Sequence, residues 1–194
     1  FAVYGTVDQG AIAQPIQAPG DVYSQFGGLD ISTSSTALQA LTDAVLYLVQ
    51  YPYECSEQLA SRVLAVAALR DVLTAFKAKG LPAPEELVKA VDRDIEILVG
   101  LQNDDGGWPV WQRGRESWPF YSIHVTLALL KAREKGFTVP EETLSRAISH
   151  LREIEQHYPS WYSEDLRNTL TSYALYVRSL SGDVDVARAR RLVN

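Results

Sequence analysis

Apolar residues recur at helical spacing through most of the chain after residue 34. The first such segment is ALQALTDAVLYLVQ, whose apolar positions include Leu38, Leu41, Val45, Leu48 and Val49. These positions follow the 3.6-residue period of a helix that buries one face. Thr36 and Gln39 fit a capping box at the start of this segment, and Pro52 disfavours helix in the residue before it. The pattern predicts a helix that begins near Thr36 and ends before Pro52.

The same periodicity predicts four more helices along the chain. One covers residues 56–79 and ends at Gly80, a residue type that is favoured just beyond a helix end. The next begins at Pro84, because proline suits the first position of a helix, and ends at about Gln102. The last two helices are predicted over residues 165–181 and 183–193.

Two stretches of the chain resemble each other at a fixed offset. KAKGLPAPEELVKAVDRDIEIL is similar to REKGFTVPEETLSRAISHLREI, with Gly80 matching Gly136 and Pro84 matching Pro140, 56 positions apart in both cases. A repeat of this length is one helical hairpin, which buries its apolar face only against neighbouring hairpins. The repeat therefore predicts an array of stacked hairpins.

A short motif connects the hairpins of this array. Gln102-x-x-x-Gly106-x-Trp108 fits the QxxxGxW pattern of toroidal terpene cyclases, in which a helix end, a turn and a tryptophan anchor lock one hairpin onto the next. The predicted fold is therefore all-α, an α/α toroid of antiparallel helical hairpins that resembles the terpenoid cyclases. We expect the array to be incomplete where the sequence stops at Asn194.

The first 33 residues have a different character. FAVYGTV is rich in β-branched and aromatic residues and predicts a short strand. A segment rich in glycine, proline and glutamine follows and is typical of an extended linker. We interpret residues 1–33 as the tail of a preceding β domain and residues 34–194 as the toroid. The chain contains no methionine, so we expect it to be a piece of a longer polypeptide.

Composition excludes some classes of function. The net charge is −6 and the isoelectric point is about 5.1, which argues against nucleic-acid binding because that requires a basic surface. No apolar run approaches the length of a bilayer span. The chain has one cysteine, so it cannot form an internal disulfide.

That cysteine lies in YPYECSEQLASRVLA, at the predicted start of a helix, as Cys55-Ser56-Glu57-Gln58. A half-buried cysteine followed by ordinary first-turn residues would explain the pattern. A chemical interpretation is also available, because a thiol and a side-chain amide three residues apart can meet across one turn. Attack of the sulfur on the amide carbonyl, with loss of ammonia, would give an internal thioester. Tyr51 and Tyr53 would then help to exclude water from it.

PYECSEQLASRVLA resembles the thioester region of the bacterial α2-macroglobulin family, whose motif is Cys-x-Glu-Gln preceded by Pro-Tyr or Pro-Phe. The resemblance extends to LQALTDAVLYL before the motif and to LQNDDGGWPVW and SIHVTLALLKAREKGF after it. Animal members have glycine before the cysteine and before Glu-Gln, whereas this chain has Glu54 and Ser56. It therefore fits the bacterial branch better.

The resemblance implies a function and a set of partners. It implies an endopeptidase inhibitor that is not an enzyme and that traps an attacking protease covalently, when a protease lysine attacks the acyl group derived from Gln58 and Cys55 leaves. It implies no cofactor beyond the Cys55–Gln58 cross-link, an extracytoplasmic location in the periplasm or outside the cell, and contacts with other domains of the parent polypeptide.

Several residues near the motif are candidates for a supporting role at the thioester: Glu57, Tyr51, Tyr53, Trp108, Trp111 and His124. The two tryptophans belong to the loop over residues 103–119, which is a candidate lid. His124 follows that loop at a helix start, where a structural role is the commoner one. His150 and His157 are predicted to lie on the surface.

No metal site is predicted from the sequence. Asn103-Asp104-Asp105 lacks the closing glutamate of a calcium loop and predicts a polar turn. Two other functions stay open. One is an enzyme on the same toroid, of the terpene cyclase or polysaccharide-degrading type, although the Asp-x-Asp-Asp acid of such cyclases does not occur here. The other is a structural toroid without a functional thioester.

Overall fold

The computed structural model is all-helical over the residues that it describes, which confirms the predicted all-α class. The described residues are 5–7, 9–13, 15–17, 20–21, 23, 25–29, 31, 33, 47–48, 51–76 and 83–193. The α-helices that fall within the longer ranges are α1 (Ser56–Phe76), α2 (Pro84–Leu101), α3 (Pro119–Glu134), α4 (Glu141–Arg152), α5 (Glu164–Leu180) and α6 (Val186–Val193). A 3-10 helix, Ile154–His157, follows α4.

Most of the predicted helix bounds agree with the structure to within one residue. α2 and α5 match their predictions closely, and α1 begins at Ser56 as expected. α6 begins at Val186 rather than at residue 183, because Asp185 accepts a hydrogen bond from the Arg188 N–H and so caps the helix there. The predicted helix after Thr36 and the predicted helix end at Gly80 lie outside the described residues, apart from the helical residues 47–48.

Helices α1, α3 and α5 form the centre of the described array. α1 packs against α2 and α3, α3 packs against α4 and α5, and α5 also contacts α4 and α6. The core between them is aliphatic and includes Leu59, Val63, Leu98, Ile123, Leu129 and Leu151, which are almost completely buried. Burial of such side chains is the dominant stabilising term, at about 25 cal/mol per Å2 of apolar surface.

The Gln-Gly-Trp motif anchors one hairpin on the next, as the sequence predicts. The Gln102 amide donates to the carbonyls of Gly106 and Thr143, both at 3.0 Å, so it ties the end of α2 to α4. The Trp108 ring is fully buried, and its N–H donates to the Leu98 carbonyl at 2.7 Å. These bonds fix the loop after α2 to α2 itself and to α4.

The two prolines and one glycine of the repeat have clear structural roles. Pro84 is the first residue of α2, and Pro140 directly precedes α4. Gly136 follows α3 with a φ of 87°, in the left-handed region that glycine enters without a steric penalty. The N–H groups of Gly136 and Phe137 donate to Arg133 and Ala132, which is a Schellman motif that ends α3.

The chain divides into two compact units, Phe1–Thr33 and Ser34–Asn194. Residues 5–7, the described part of the predicted N-terminal strand, form no strand, because a strand requires a hydrogen-bonded partner strand and none is described beside them. Residues 1–4 lie outside the described residues. That the first unit is the tail of a β domain stays a prediction. Within the described residues, every helix is too short or too polar to cross a membrane.

Candidate functional site

Cys55 occupies the cap position at the start of α1. Its carbonyl accepts the Leu59 N–H at 3.0 Å, the first hydrogen bond of the helix. Its own N–H donates to Oε1 of Gln58 at 3.1 Å, so the glutamine side chain folds back over the helix start. This contact is one half of a capping box. It brings the carboxamide group of Gln58 next to the residue that carries the thiol.

The environment of Cys55 is well shielded. Only 5% of the residue is exposed, and the neighbouring Ser56 is fully buried. The Ser56 N–H donates to the Val110 carbonyl at 2.9 Å, and its hydroxyl donates to the Pro109 carbonyl at 2.7 Å. The loop after α2 therefore covers the start of α1 with its backbone.

The aromatic residues predicted around the thiol lie in different places. Tyr51 is half-buried and contacts the rings of Tyr47 and Tyr53, with ring centres 5.5 and 5.6 Å apart. Tyr53 and Trp111 are largely exposed. The Trp108 ring lies in the core, so its effect on Cys55 would act through residues 109–110, which the ring anchors.

Glu57 and His124 belong to one chain of hydrogen bonds that crosses three helices. The Ser61 hydroxyl donates to Oε1 of Glu57 at 2.7 Å. Because that hydroxyl has a single proton, it accepts from Nε2–H of His124, at 2.9 Å. The Nδ1 of the neutral ring then accepts from the Tyr173 hydroxyl at 3.1 Å. This order assigns the proton of His124 to Nε2.

Burial keeps His124 neutral. Desolvation lowers the pKa of His124 below its usual value, while the nearby Glu57 charge acts in the opposite direction and is the smaller effect. The Phe120 ring stacks on the imidazole with centres 5.6 Å apart and an interplanar angle of 9°. The imidazole is therefore held by packing as well as by hydrogen bonds, on the side of α1 that carries Glu57.

Tyr121 is a neighbour of the site that the sequence did not indicate. Burial raises the pKa of its hydroxyl, and the nearby Cys55 and Glu57 raise it further. The signal that could have revealed it is its spacing. Tyr121 and His124 lie three residues apart on α3 and so share one helix face.

A buried ion pair fixes the segment just before the cysteine. Arg62 on α1 binds both carboxylate oxygens of Asp94 on α2, and Asp94 is fully buried. The Asp94 contact raises the pKa of the Arg62 guanidinium. Arg62 and Arg93 also donate to Glu54, at 3.2 and 2.8 Å. Glu54, which directly precedes Cys55, is thereby tied to two helices.

The prediction that His150 lies on the surface is wrong. His150 is only 3% exposed, and its ring stacks on His157, which is half-buried, with ring centres 4.0 Å apart. The reason is a contact distant in sequence, because Nδ1 of His150 hydrogen-bonds the Asp105 carbonyl at 3.0 Å. The polar turn predicted at residues 103–105 is present as a turn, and Asp105 and both histidines lie together there.

Comparison with known proteins identifies relatives of the chain. No family model matches it. Over 158 residues, 77% of the chain, it is 30% identical to Circularly permutated Ras protein 2 of Dictyostelium discoideum and covers 4% of that protein. Over 161 residues, 81% of the chain, it is 28% identical to Alpha-2-macroglobulin of Rickettsia conorii and covers 8% of that protein.

Solved structures of bacterial alpha-2-macroglobulins also match the chain. The native alpha-2-macroglobulin of Escherichia coli from domain MG7 to the C-terminus matches 78% of the chain with a TM-score of 0.69 and 25% identity. In sequence and in fold, the chain is similar to the bacterial alpha-2-macroglobulins. Trypsin-activated alpha-2-macroglobulin of E. coli matches 73% of the chain with a TM-score of 0.64 and 26% identity.

The match covers only a small part of these alpha-2-macroglobulins. The chain spans 25% of the native E. coli chain and 10% of the trypsin-activated one. It matches a part of the region from domain MG7 to the C-terminus, which the native E. coli structure spans. The helical array described above is thus similar to one segment of much longer proteins.

Proposed function

We propose that this chain is the thioester domain of a bacterial alpha-2-macroglobulin-like endopeptidase inhibitor and that Cys55 and Gln58 form its internal thioester. The observation that carries the proposal is the folded-back Gln58 side chain, whose Oε1 lies 3.1 Å from the Cys55 nitrogen at a buried helix start. The similarity to bacterial alpha-2-macroglobulins in sequence and fold supports the same conclusion.

The bond would form by acyl transfer within one helical turn. The Cys55 sulfur attacks the Gln58 side-chain carbonyl carbon, a C–S bond forms, the C–N bond breaks, and ammonia leaves with the thiol proton. Glu57 and His124 lie beside this turn and are joined through Ser61, so they are suited to hold its orientation. Backbone cover by residues 109–110 would keep water from the acyl group.

The trapping step uses the same acyl carbon once. A lysine amine of a protease attacks it, an amide bond forms, the C–S bond breaks, and Cys55 leaves as a thiolate while the amine loses a proton. The helix N-terminus stabilises that leaving group. Because the acyl group is consumed, the protein acts as a single-use inhibitor and not as a catalyst. Trypsin activation of the E. coli relative supports proteases as partners.

The wider context of the chain is part of the proposal. We infer that the parent polypeptide acts outside the cytoplasm, where it would meet foreign proteases, and that its other domains contact this one. No cofactor is required beyond the internal cross-link. The competing functions, a toroid enzyme and a toroid without a thioester, are separated from this one by the state of Cys55 and by substrate turnover.

The decisive experiment measures the intact mass of the protein before and after methylamine, with a thiol titration alongside. We expect a native mass that is short by one ammonia, no reactive thiol, and release of one thiol on methylamine addition. Gln58→Glu is the matched control, because a glutamate oxygen can still accept the Cys55 N–H but has no ammonia to lose. A native mass equal to that of the sequence, in both this chain and the full-length parent, would refute the thioester.

A further inference from the structure

Three side chains with metal-binding groups meet at the loop after α2. Asp105 belongs to that loop, His150 lies in the last turn of α4, and His157 is the last residue of the 3-10 helix. One ligand atom from each of them lies within 4.8 Å of the others. Two imidazoles and a carboxylate from three separate segments thus converge, which is the ligand set of many zinc sites.

His150 presents the nitrogen that a metal requires. Its Nδ1 hydrogen-bonds the Asp105 carbonyl at 3.0 Å, and a carbonyl can only accept, so the ring proton lies on Nδ1. The lone pair is therefore on Nε2. This atom is buried, has no hydrogen-bond partner, and belongs to a side chain that is 0% exposed. A hydrogen bond from one ring nitrogen to a carbonyl commonly orients a histidine whose other nitrogen binds a metal.

The space beside Nε2 of His150 exists because residue 107 is a glycine. A Cβ atom at Gly107 would lie 2.6 Å from Cε1 and 2.7 Å from Nε2 of His150. Real Cβ contacts are longer than this, so any larger residue would displace the imidazole. Glycine at this position leaves the nitrogen-bearing edge of the ring uncovered by a side chain. An unpartnered buried nitrogen is costly in a folded protein, and such a group calls for an explanation.

The two carboxylate oxygens of Asp105 have different contacts. Oδ1 accepts from the Gly107 N–H and from the Ser117 hydroxyl, both at 2.9 Å, which fixes the carboxylate. Oδ2 lies 3.8 Å from Nδ1 of His150, beside the histidine ring. One oxygen thus positions the group, and the other remains available as a ligand.

His157 completes the group on the solvent side. Its ring stacks on that of His150 at an interplanar angle of 29°, and it borders a polar groove of about 450 Å3. The groove is also lined by Asn103, Glu116, Ser117, Gln156 and Tyr158. A metal bound by the three side chains would have a coordination position open to this groove, where water could bind.

We propose that Asp105, His150 and His157 bind a divalent transition-metal ion of the zinc type. Two imidazoles and one carboxylate suit Zn2+ better than Mg2+ or Ca2+, which prefer oxygen ligands. Tetrahedral zinc at a ligand distance of about 2.0–2.1 Å separates its ligands by roughly 3.4 Å. The ligand atoms, which lie within 4.8 Å of one another, would therefore approach by at most about 1.4 Å on binding. His157, half-buried at the end of a short 3-10 helix, is the group placed to move.

Metal binding would join the loop after α2 to α4 and to the 3-10 helix. The proposal does not depend on the thioester.

The test is a calorimetric titration of the untagged protein with Zn2+ alone, followed by Co2+ and its visible absorption spectrum. We expect one site with micromolar or tighter affinity, a tetrahedral cobalt spectrum, and a higher Tm in the presence of zinc. His157→Phe keeps a ring against His150 but removes the nitrogen ligand. It should weaken zinc binding by more than the 10–100-fold that loss of an outer hydrogen bond typically costs.

Two control variants remove the remaining histidine and the one cysteine of the chain. His124→Gln removes the third histidine of the chain, and Cys55→Ser removes its one thiol. Both should bind zinc with wild-type affinity. The circular dichroism spectrum and melting curve of His157→Phe without metal establish that it is folded. Absence of zinc binding at 1 mM to the wild type, or wild-type affinity in a folded His157→Phe, would overturn the proposal.

Discussion

Gly106 allows a direct test of how the loop after α2 is locked onto α4. Its φ is 85°, and a Cβ atom there would lie 2.3 Å from the carbonyl oxygen of Arg146. Gly106→Ala therefore meets two penalties. The left-handed conformation costs an ordinary residue about 1–2 kcal/mol. Steric overpacking against a helix backbone typically adds about 1–3 kcal/mol. We expect a total loss of about 2–5 kcal/mol in the free energy of unfolding.

Gly114 provides the matched control for this substitution. It lies in the same loop with a φ of 86°, but nothing lies within 4 Å of the position its Cβ would take. Gly114→Ala has the same conformational strain and the same effect on the unfolded chain, so it should lose about 1–2 kcal/mol. The two variants and the wild type are compared by urea unfolding monitored by circular dichroism. Equal losses for the two variants would refute the view that close approach to Arg146 requires glycine at residue 106.

Two other substitutions test the buried polar groups. Asp94→Asn leaves the Arg62 guanidinium buried without its carboxylate, so the free energy of unfolding in urea should fall by about 3–5 kcal/mol. Glu134→Gln is the control, because it removes the exposed Lys131–Glu134 pair and should cause no measurable loss. A loss of similar size in both variants would contradict the burial argument. Burial lowers the pKa of His124 in the folded protein, so below about pH 6.5 the unfolded state binds more protons than the folded state does. The free energy of unfolding should therefore fall as the pH falls through this range, by at most about 1.4 kcal/mol per pH unit. His124→Gln should make the dependence of unfolding free energy on pH between 7 and 5 shallower, and unchanged slopes would argue against a buried neutral His124.

The parts of the structure that follow local rules could be predicted from the sequence. Helix starts at Ser56 and Pro84 depend on neighbouring residues, and the Gln102–Trp108 motif carries its own turn and anchor. Cys55 and Gln58 are three residues apart, so their contact across one turn could also be anticipated.

The remaining features depend on pairs that are distant in sequence. Ser61 contacts His124 across 63 positions, and His124 contacts Tyr173 across 49. His150 is buried because Asp105 and Gly107 lie beside it, 45 and 43 positions earlier. Periodicity indicates which face of a helix is buried but not which polar residue of another helix it meets. For this reason the helices could be predicted, whereas the hydrogen-bond chain around Glu57 could not.

The contact between Ser56 and residues 109–110 has a consequence for the order in which the molecule is assembled. The serine hydroxyl and its acceptor at Pro109 are 53 positions apart, and α2 lies between them in sequence. During synthesis the start of α1 therefore leaves the ribosome well before the backbone that covers it. A newly made chain would pass through a period in which Cys55 is open to water and to other thiols. Any chemistry that requires a Cys55 shielded from water must wait until the loop after α2 has packed against the start of α1.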